Sequence, residues 1–194
     1  MKAIKFKSIT KKRISDTMTP VGLYLKFRDK YANTLLLESS DYHSKEESFS
    51  FLCIEPVVDI KAEQHQLSLS YKGSVLESQP LENNNFYQLF DRYTGAIDLD
   101  CDPSIKGFNG LYGYTTYDGV QYFENIELKA KAAPSAIPLL QYSFFRFVIA
   151  INHFNDELIL IENLEENETA RLSEIETVLN SKAYHTQDFS FEGA

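Results

Sequence analysis

From Leu139 to Ile151 the chain is apolar at nearly every position, broken only by Gln141, Ser143 and Arg146 among its largely Leu, Phe, Val and Ile residues; it then turns through Asn152 to Asp156 and returns as Glu157 to Ile161. An apolar run that doubles back through a short polar turn is the pattern of two adjacent antiparallel strands. The chain must therefore be built round a sheet. Its 14 Phe and 12 Tyr, against 8 Gly, 6 Pro and no Trp, supply the side chains of a dense, strand-rich core. At 194 residues there is room for one well-filled core or for a domain plus an extension, and fibrous, collagenous and wholly disordered chains are excluded.

The remaining elements follow from local signals. Ile4, Phe6 and Ile9 partly alternate with polar residues, which predicts a first strand from Ala3 to Ile14. Thr19-Pro20 opens a helix to about Tyr31, because the threonine hydroxyl can cap free amides and proline loses nothing at the first helical position. Thr34 to Glu38 reads as a strand buried on both faces, and Ser48 to Glu55 as another, ended by Pro56. Val57 to Ala62 and Leu67 to Tyr71 flank a polar turn, and Lys72-Gly73 makes the next. Phe86, Leu89, Phe90 and Tyr93 fall on one face of a helix over Asn83 to Tyr93, and Asp98 to Gly107 reads as polar loop. Gly110 to Tyr117 predicts a strand, Asp118 the start of a short helix, and Asn167 to Leu179 an acidic amphipathic helix. About nine strands against about four helices, many strands adjacent in sequence, predict an α+β fold of largely antiparallel sheet with flanking helices.

Twenty-eight acidic against 19 basic side chains give a net charge of −9, which repels phosphates and anionic membranes, so nucleic acid and membrane are poor partners. Cys53 and Cys101 lie in unrelated contexts outside any Cys/His cluster and read as free thiols in a reducing cytoplasm. No secretory signal or membrane-length apolar run is present, and the reading is of a soluble, cytoplasmic chain.

Catalytic motifs are missing. There is no phosphate loop, Gly-x-Ser-x-Gly or His-Glu-x-x-His, and His43, His65, His153 and His185 lie in polar turns or tails, where surface histidine is the plain reading. Glu46-Glu47 and Glu165-Glu166 read as solvated faces. The residues by themselves do not make an enzyme.

Two stretches stand out. In Leu35-Leu36-Leu37-Glu38-Ser39-Ser40 an apolar strand ends in a carboxylate and hydroxyls, opposite Ser48-Phe49-Ser50-Phe51. Glu38 could take a ligand ammonium, Ser39, Ser40 and Ser50 could serve a carboxylate or amide, and Leu37 with neighbouring aromatics could receive an apolar side chain. That is an amino-acid-sized site, although the same serines also read as turn chemistry, the stronger reading on residues alone. In Asn109 to Asp118 small residues would admit a close neighbour, with a bulged core strand as the plainer alternative.

Leu-Leu-Glu-Ser, Ser-Phe-Ser-Phe ending in Glu55-Pro56, Gly110-Leu111-Tyr112-Gly113-Tyr114 leading to Tyr117-Asp118, the late pair Phe145 to Ile151 and Glu157 to Ile161, and the opening Thr19-Pro20-Val21 together resemble the N-terminal region of anthranilate synthase component I. The resemblance runs from Thr19 to Leu179. It implies a parent enzyme that makes anthranilate from chorismate in tryptophan biosynthesis, with Mg²⁺ and with ammonia from a glutamine amidotransferase, component II. It further implies that residues 1–180 are a tryptophan-regulatory region, that 181–194 are a polar linker, and that the C-terminal chorismate-binding domain, which carries catalysis, is absent. The resemblance makes tryptophan the inhibitor bound by Leu37, Glu38, Ser39, Ser40 and Ser50, with Ser39 at the regulatory serine, and leaves this chain with no catalytic residue, metal or other cofactor. The face left without its catalytic half should be apolar and promote self-association.

The chain departs from the family at Asn109, where a glycine is usual, at Gln121, where arginine is common, and at Ser48 to Cys53, where the family reads Arg-Tyr-Ser-Phe-Ile-Gly. Aminodeoxychorismate synthase component I shares the N-terminal architecture and is one alternative. A stand-alone amino-acid-binding regulatory module is the other.

Overall fold

The computed structural model describes residues 3–39, 48–63, 65–82, 85–124, 126 and 137–181. Among them nine strands form one mixed sheet: β1 (Ile4–Ile14), β2 (Leu35–Glu38), β3 (Phe49–Glu63), β4 (Gln66–Tyr71), β5 (Ser74–Pro80), β6 (Ile97–Asp100), β7 (Leu111–Thr115), β8 (Leu140–Asn152) and β9 (Glu157–Leu164). Three α-helices, α1 (Pro20–Arg28), α2 (Phe86–Thr94) and α3 (Leu172–Asn180), and 3₁₀ helices at Pro103–Phe108 and Tyr117–Tyr122 pack on it. The fold is α+β and mostly antiparallel, as expected, with one parallel pair, Ile4 of β1 beside Ile97 of β6.

The spine is the pair β3–β8, antiparallel from Phe49↔Asn152 to Ala62↔Leu140. Each spine strand changes its outer neighbour halfway. β2 lies on the first half of β3 and β4 on the second, while β7 lies on residues 140–144 of β8 and β9 on 147–151. Both exchanges flank a bulge between Pro56 and Val58. Pro56 therefore does not end its strand, contrary to the sequence expectation. A proline has no N–H for the ladder, and a bulge is where a strand can lack one; Glu55 beside it takes the left-handed conformation, φ 58°.

Three apolar clusters hold the layers. Leu23 and Phe27 of α1 and Ile175, Val178 and Leu179 of α3 cover Leu52, Ile54, Phe147, Ile149 and Leu160. On the opposite face Cys53, Val148, Ala150, Ile159 and Ile161 pack under Ile105 and Phe108 of the first 3₁₀ helix. The third cluster joins Phe6, Val58, Ile60, Leu67 and Leu69 to Phe86 and Tyr93 of α2. Thr19 Oγ1 accepts the Gly22 N–H at 3.0 Å, the cap its position requires.

Several local expectations are corrected. Asp98 to Gly107 is not simply loop: Ile97 and Leu99 pair with β1, and Ile105 is buried. β2 is half-buried and not buried on both faces, because it has β3 as its one strand partner among the described residues. α1 stops at Arg28 rather than near Tyr31. The acidic helix begins at Leu172, not Asn167, because the chain before it is bound to an ion-pair network described below. Cys53 is buried and Cys101 half-buried, both free. Expectations about Ser40, His43, Glu46-Glu47, His185 and residues 182–194 lie outside the described residues.

Candidate functional site

The register of β2 on β3 sets Leu37 opposite Phe51 and Glu38 opposite Ser50. Directly opposed residues share a sheet face and successive residues alternate. Glu38 and Ser50 therefore lie on the face of Leu36 and Leu52, beneath α1, whereas Leu37 lies on the other face with Phe49 and Phe51. There Phe49 and Phe51 pack on Phe108 and Tyr112, with centroids 4.7 Å apart for Phe49–Phe108 and 5.2 Å for Phe51–Tyr112. A ligand touching both Glu38 and Leu37 has to straddle the edge of β2 that carries no second strand among the described residues. Glu38 and Ser39 are exposed and Ser50 is fully buried.

Burial of the Ser50 hydroxyl demands a partner. His153, in the turn between β8 and β9, supplies it: Ser50 Oγ and His153 Nε2 share a hydrogen bond at 2.7 Å, and the His153 N–H donates to the Ser48 carbonyl at 3.0 Å. The strand end thus brings together a carboxylate, a hydroxyl and an imidazole. His153 was not read as part of it, because 103 residues separate it from Ser50. The one available signal was a serine at a buried position of an otherwise apolar strand.

The second stretch is structural. β7 is a regular strand, and Gly113 permits its approach, since a Cβ there would collide with the Gln141 carbonyl oxygen. Tyr112 donates to the Phe108 carbonyl at 2.6 Å, and burial, reinforced by Cys53, pushes its hydroxyl's pKa up.

A third place escaped the sequence reading. A cavity of about 480 Å³ opens at the Pro56 bulge, with Phe6 and Val57 on its floor and Lys30, Asn33, Glu55 and Glu165 around it. Beside it Glu162, with no exposed surface, accepts from Arg146 Nη2 at 2.9 Å and from the Arg171 N–H at 2.9 Å. Arg146 continues to Glu168 at 2.8 Å and to the Thr169 carbonyl at 3.0 Å. Lys72 pairs with Glu165 and Glu168, Tyr71 donates to Glu165, and Arg171 pairs with Glu55. Glu165 is thus no solvated surface acid, in contrast to the sequence expectation. Its hydrogen bond to Glu165 raises the Lys72 pKa, with Glu168 and Tyr71 adding to it against the opposing effect of burial. For Glu168, burial works to raise the pKa, but the Glu165 N–H, Lys72 and Arg146 outweigh it and hold the carboxyl below its usual value. Arg146, a charge inside the longest apolar run, was the signal in the sequence.

Among the described residues no three His, Cys, Asp or Glu are grouped to hold a metal. No helix among them is long and apolar enough to cross a membrane.

No family model matches the chain. Curated relatives do. The chain is 28% identical over 156 residues, 80% of its length, to anthranilate synthase component 1 of Methanothermobacter thermautotrophicus. It is 26% identical over 149 residues to that of Lactococcus lactis, and 22% identical over 180 residues to that of Acetivibrio thermocellus, covering 77% and 92% of the chain. It spans about a third of these relatives, between 31% and 35% of their lengths. Among solved structures, anthranilate synthase component I of Streptococcus pneumoniae matches 86% of the chain and 35% of its own at a TM-score of 0.46 and 20% identity. Over most of its length, then, the chain is similar to the N-terminal region of anthranilate synthase component 1.

Proposed function

We propose that this chain is the tryptophan-sensing N-terminal region of a cytoplasmic anthranilate synthase component I. In the complete enzyme it would regulate Mg²⁺-dependent conversion of chorismate and glutamine-derived ammonia to anthranilate, working with a C-terminal chorismate-binding domain and component II. The observation that carries the reading is the alignment of 80% of the chain with a curated component 1 at 28% identity. The β2–β3 register supports the sensing role. It sets the Glu38 carboxylate, suited to a ligand ammonium, beside Ser50 and ahead of Ser39. Removing an amino acid's charged ends from water is tolerable only where such groups replace the lost hydration.

A chimera tests this. The chain replaces the N-terminal region of the Methanothermobacter enzyme, and anthranilate formation is followed by fluorescence. Tryptophan should inhibit it, and Ser39→Phe should relieve inhibition while leaving turnover nearly unchanged. An active chimera whose tryptophan sensitivity ignores Ser39→Phe removes Ser39 from the regulatory site.

A further inference from the structure

Three strands bring one patch of side chains into line. Tyr112 of β7 lies opposite Ser143 of β8, and Ser143 lies opposite Asp59 of β3; one step along, Tyr114 lies opposite Gln141. Directly opposed residues share a sheet face, and so do residues two apart in one strand, so these five side chains stand together. With Phe145 they line a cavity of about 260 Å³ that shares no charged side chain with the cavity at the Pro56 bulge. Asp59 is the one charged side chain of its lining among the described residues.

That carboxylate is half-buried and lacks a counterion. Ser143 Oγ donates to Asp59 Oδ1 at 2.5 Å, and among the described residues Asp59 has no cationic partner. Lys61, two residues along β3 and opposite Gln141, is held by Glu63 at 2.6 Å. A partly desolvated carboxylate with an open oxygen is stabilised by a cation that can reach it. The half-buried Gln141 side-chain amide is likewise without a partner among the described residues, and its carbonyl oxygen is a second acceptor. The Tyr112 hydroxyl is committed to the Phe108 carbonyl at 2.6 Å, which leaves the cavity its ring. Aromatic faces attract cations, and the net charge of −9 draws them from a distance.

The lining holds no cation to receive a carboxylate, so a zwitterion is disfavoured. The volume, just below the usual span of drug-sized ligand sites, suits a small molecule. We propose that this cavity binds a small primary amine in its ammonium form, the N–H groups on Asp59 and the Gln141 carbonyl oxygen and the hydrocarbon body against Tyr112, Tyr114 and Phe145. The site is separate from the Glu38 strand end and does not depend on the function proposed for it.

The test is an amide-resonance titration of the whole chain at neutral pH with benzylamine, set beside benzyl alcohol, which lacks the charge, and L-phenylglycine, which adds a carboxylate. Benzylamine should shift the amides of Asp59, Gly113 and Ser143, and both analogues should bind about fivefold or more weakly. Asp59→Asn keeps the shape and an acceptor for Ser143 and should weaken benzylamine by about fivefold or more. Tyr114→Leu, at an exposed position, keeps apolar bulk without the ring and should weaken it by about threefold, whereas Glu38→Gln should leave it unchanged. Four results overturn the proposal: no shift at these amides up to about 50 mM benzylamine, either analogue binding as tightly as benzylamine, undiminished affinity in Asp59→Asn, or an equal loss in Glu38→Gln, which would reduce the effect to net charge.

Discussion

The side-chain amides of Asn109 and Asn163 pair reciprocally inside the protein, Asn109 Nδ2 donating to Asn163 Oδ1 at 2.8 Å and Asn163 Nδ2 to Asn109 Oδ1 at 3.0 Å. Asn163 also donates to the Phe145 carbonyl and accepts from Ser8 Oγ, both at 2.8 Å. Four distant segments are tied by this cluster. Asn163→Leu leaves the Asn109 amide buried without its partner and should cost about 2 kcal/mol, read as a lower urea midpoint at unchanged slope. An unchanged midpoint would show that the amide pair contributes nothing net.

Gly113 is required by space rather than by backbone angle. In Gly113→Ala the added methyl meets the Gln141 carbonyl oxygen and the Tyr142 Cα, both main-chain atoms of β8 that cannot swing aside. The substitution should destabilise by about 2 kcal/mol or more, and Gly110→Ala, with nothing within 4 Å, should be nearly neutral. Thermal unfolding of the two variants side by side checks the contrast.

Acid should weaken the network round Arg146 in a defined direction. The Glu168 pKa is lower in the folded chain than in the unfolded one, so its contribution is fully present above the ordinary glutamate value and fades as pH falls through the folded value. Stability measured at stepped pH should therefore decline through the acid range less steeply in Glu168→Gln than in the unsubstituted chain. Parallel pH profiles for the two would contradict this.

The chain alone should make no anthranilate. Given chorismate, ammonium and Mg²⁺, it should leave the fluorescence at background, because the catalytic half is proposed to lie elsewhere. Mg²⁺-dependent product from the purified chain would refute that division of labour.

Self-association follows from the same proposal. Tyr114, Tyr117 and Ile137, on β7 and the segments beside it, are exposed at 39%, 85% and 58%. If this face meets a catalytic half in the complete enzyme, the isolated chain should show a concentration-dependent sedimentation coefficient, reduced in Tyr117→Ser. A strict monomer at high concentration argues against it.

Much of the architecture was legible because its signals are local. The apolar run of β8 turning at Asn152 predicted the central hairpin, Thr19-Pro20 predicted the start of α1, and the spacing of Phe86, Leu89, Phe90 and Tyr93 predicted α2. Of the strand-end site, only the facing of the stretch Leu35 to Ser40 by the stretch Ser48 to Phe51 was anticipated from the two motifs, and the pairing of Glu38 with Ser50 came from the register. Their sheet faces, and the hydrogen bond from His153, were not anticipated.

What the sequence determined by itself is the set of segments whose hydrophobic period, caps and turns depend on residues a few positions apart. The tertiary structure decided everything that turns on register between distant strands. Pro56 sits inside a strand because the exchange of neighbours along β3 and β8 leaves a bulge where its missing N–H goes unneeded. Ile97 and Leu99 become a strand because β1 offers them an edge from more than eighty residues away. Glu162 can be buried because Arg146 reaches it across the β8–β9 pair, and no local pattern records that a charge in one strand has found its counterion in the next.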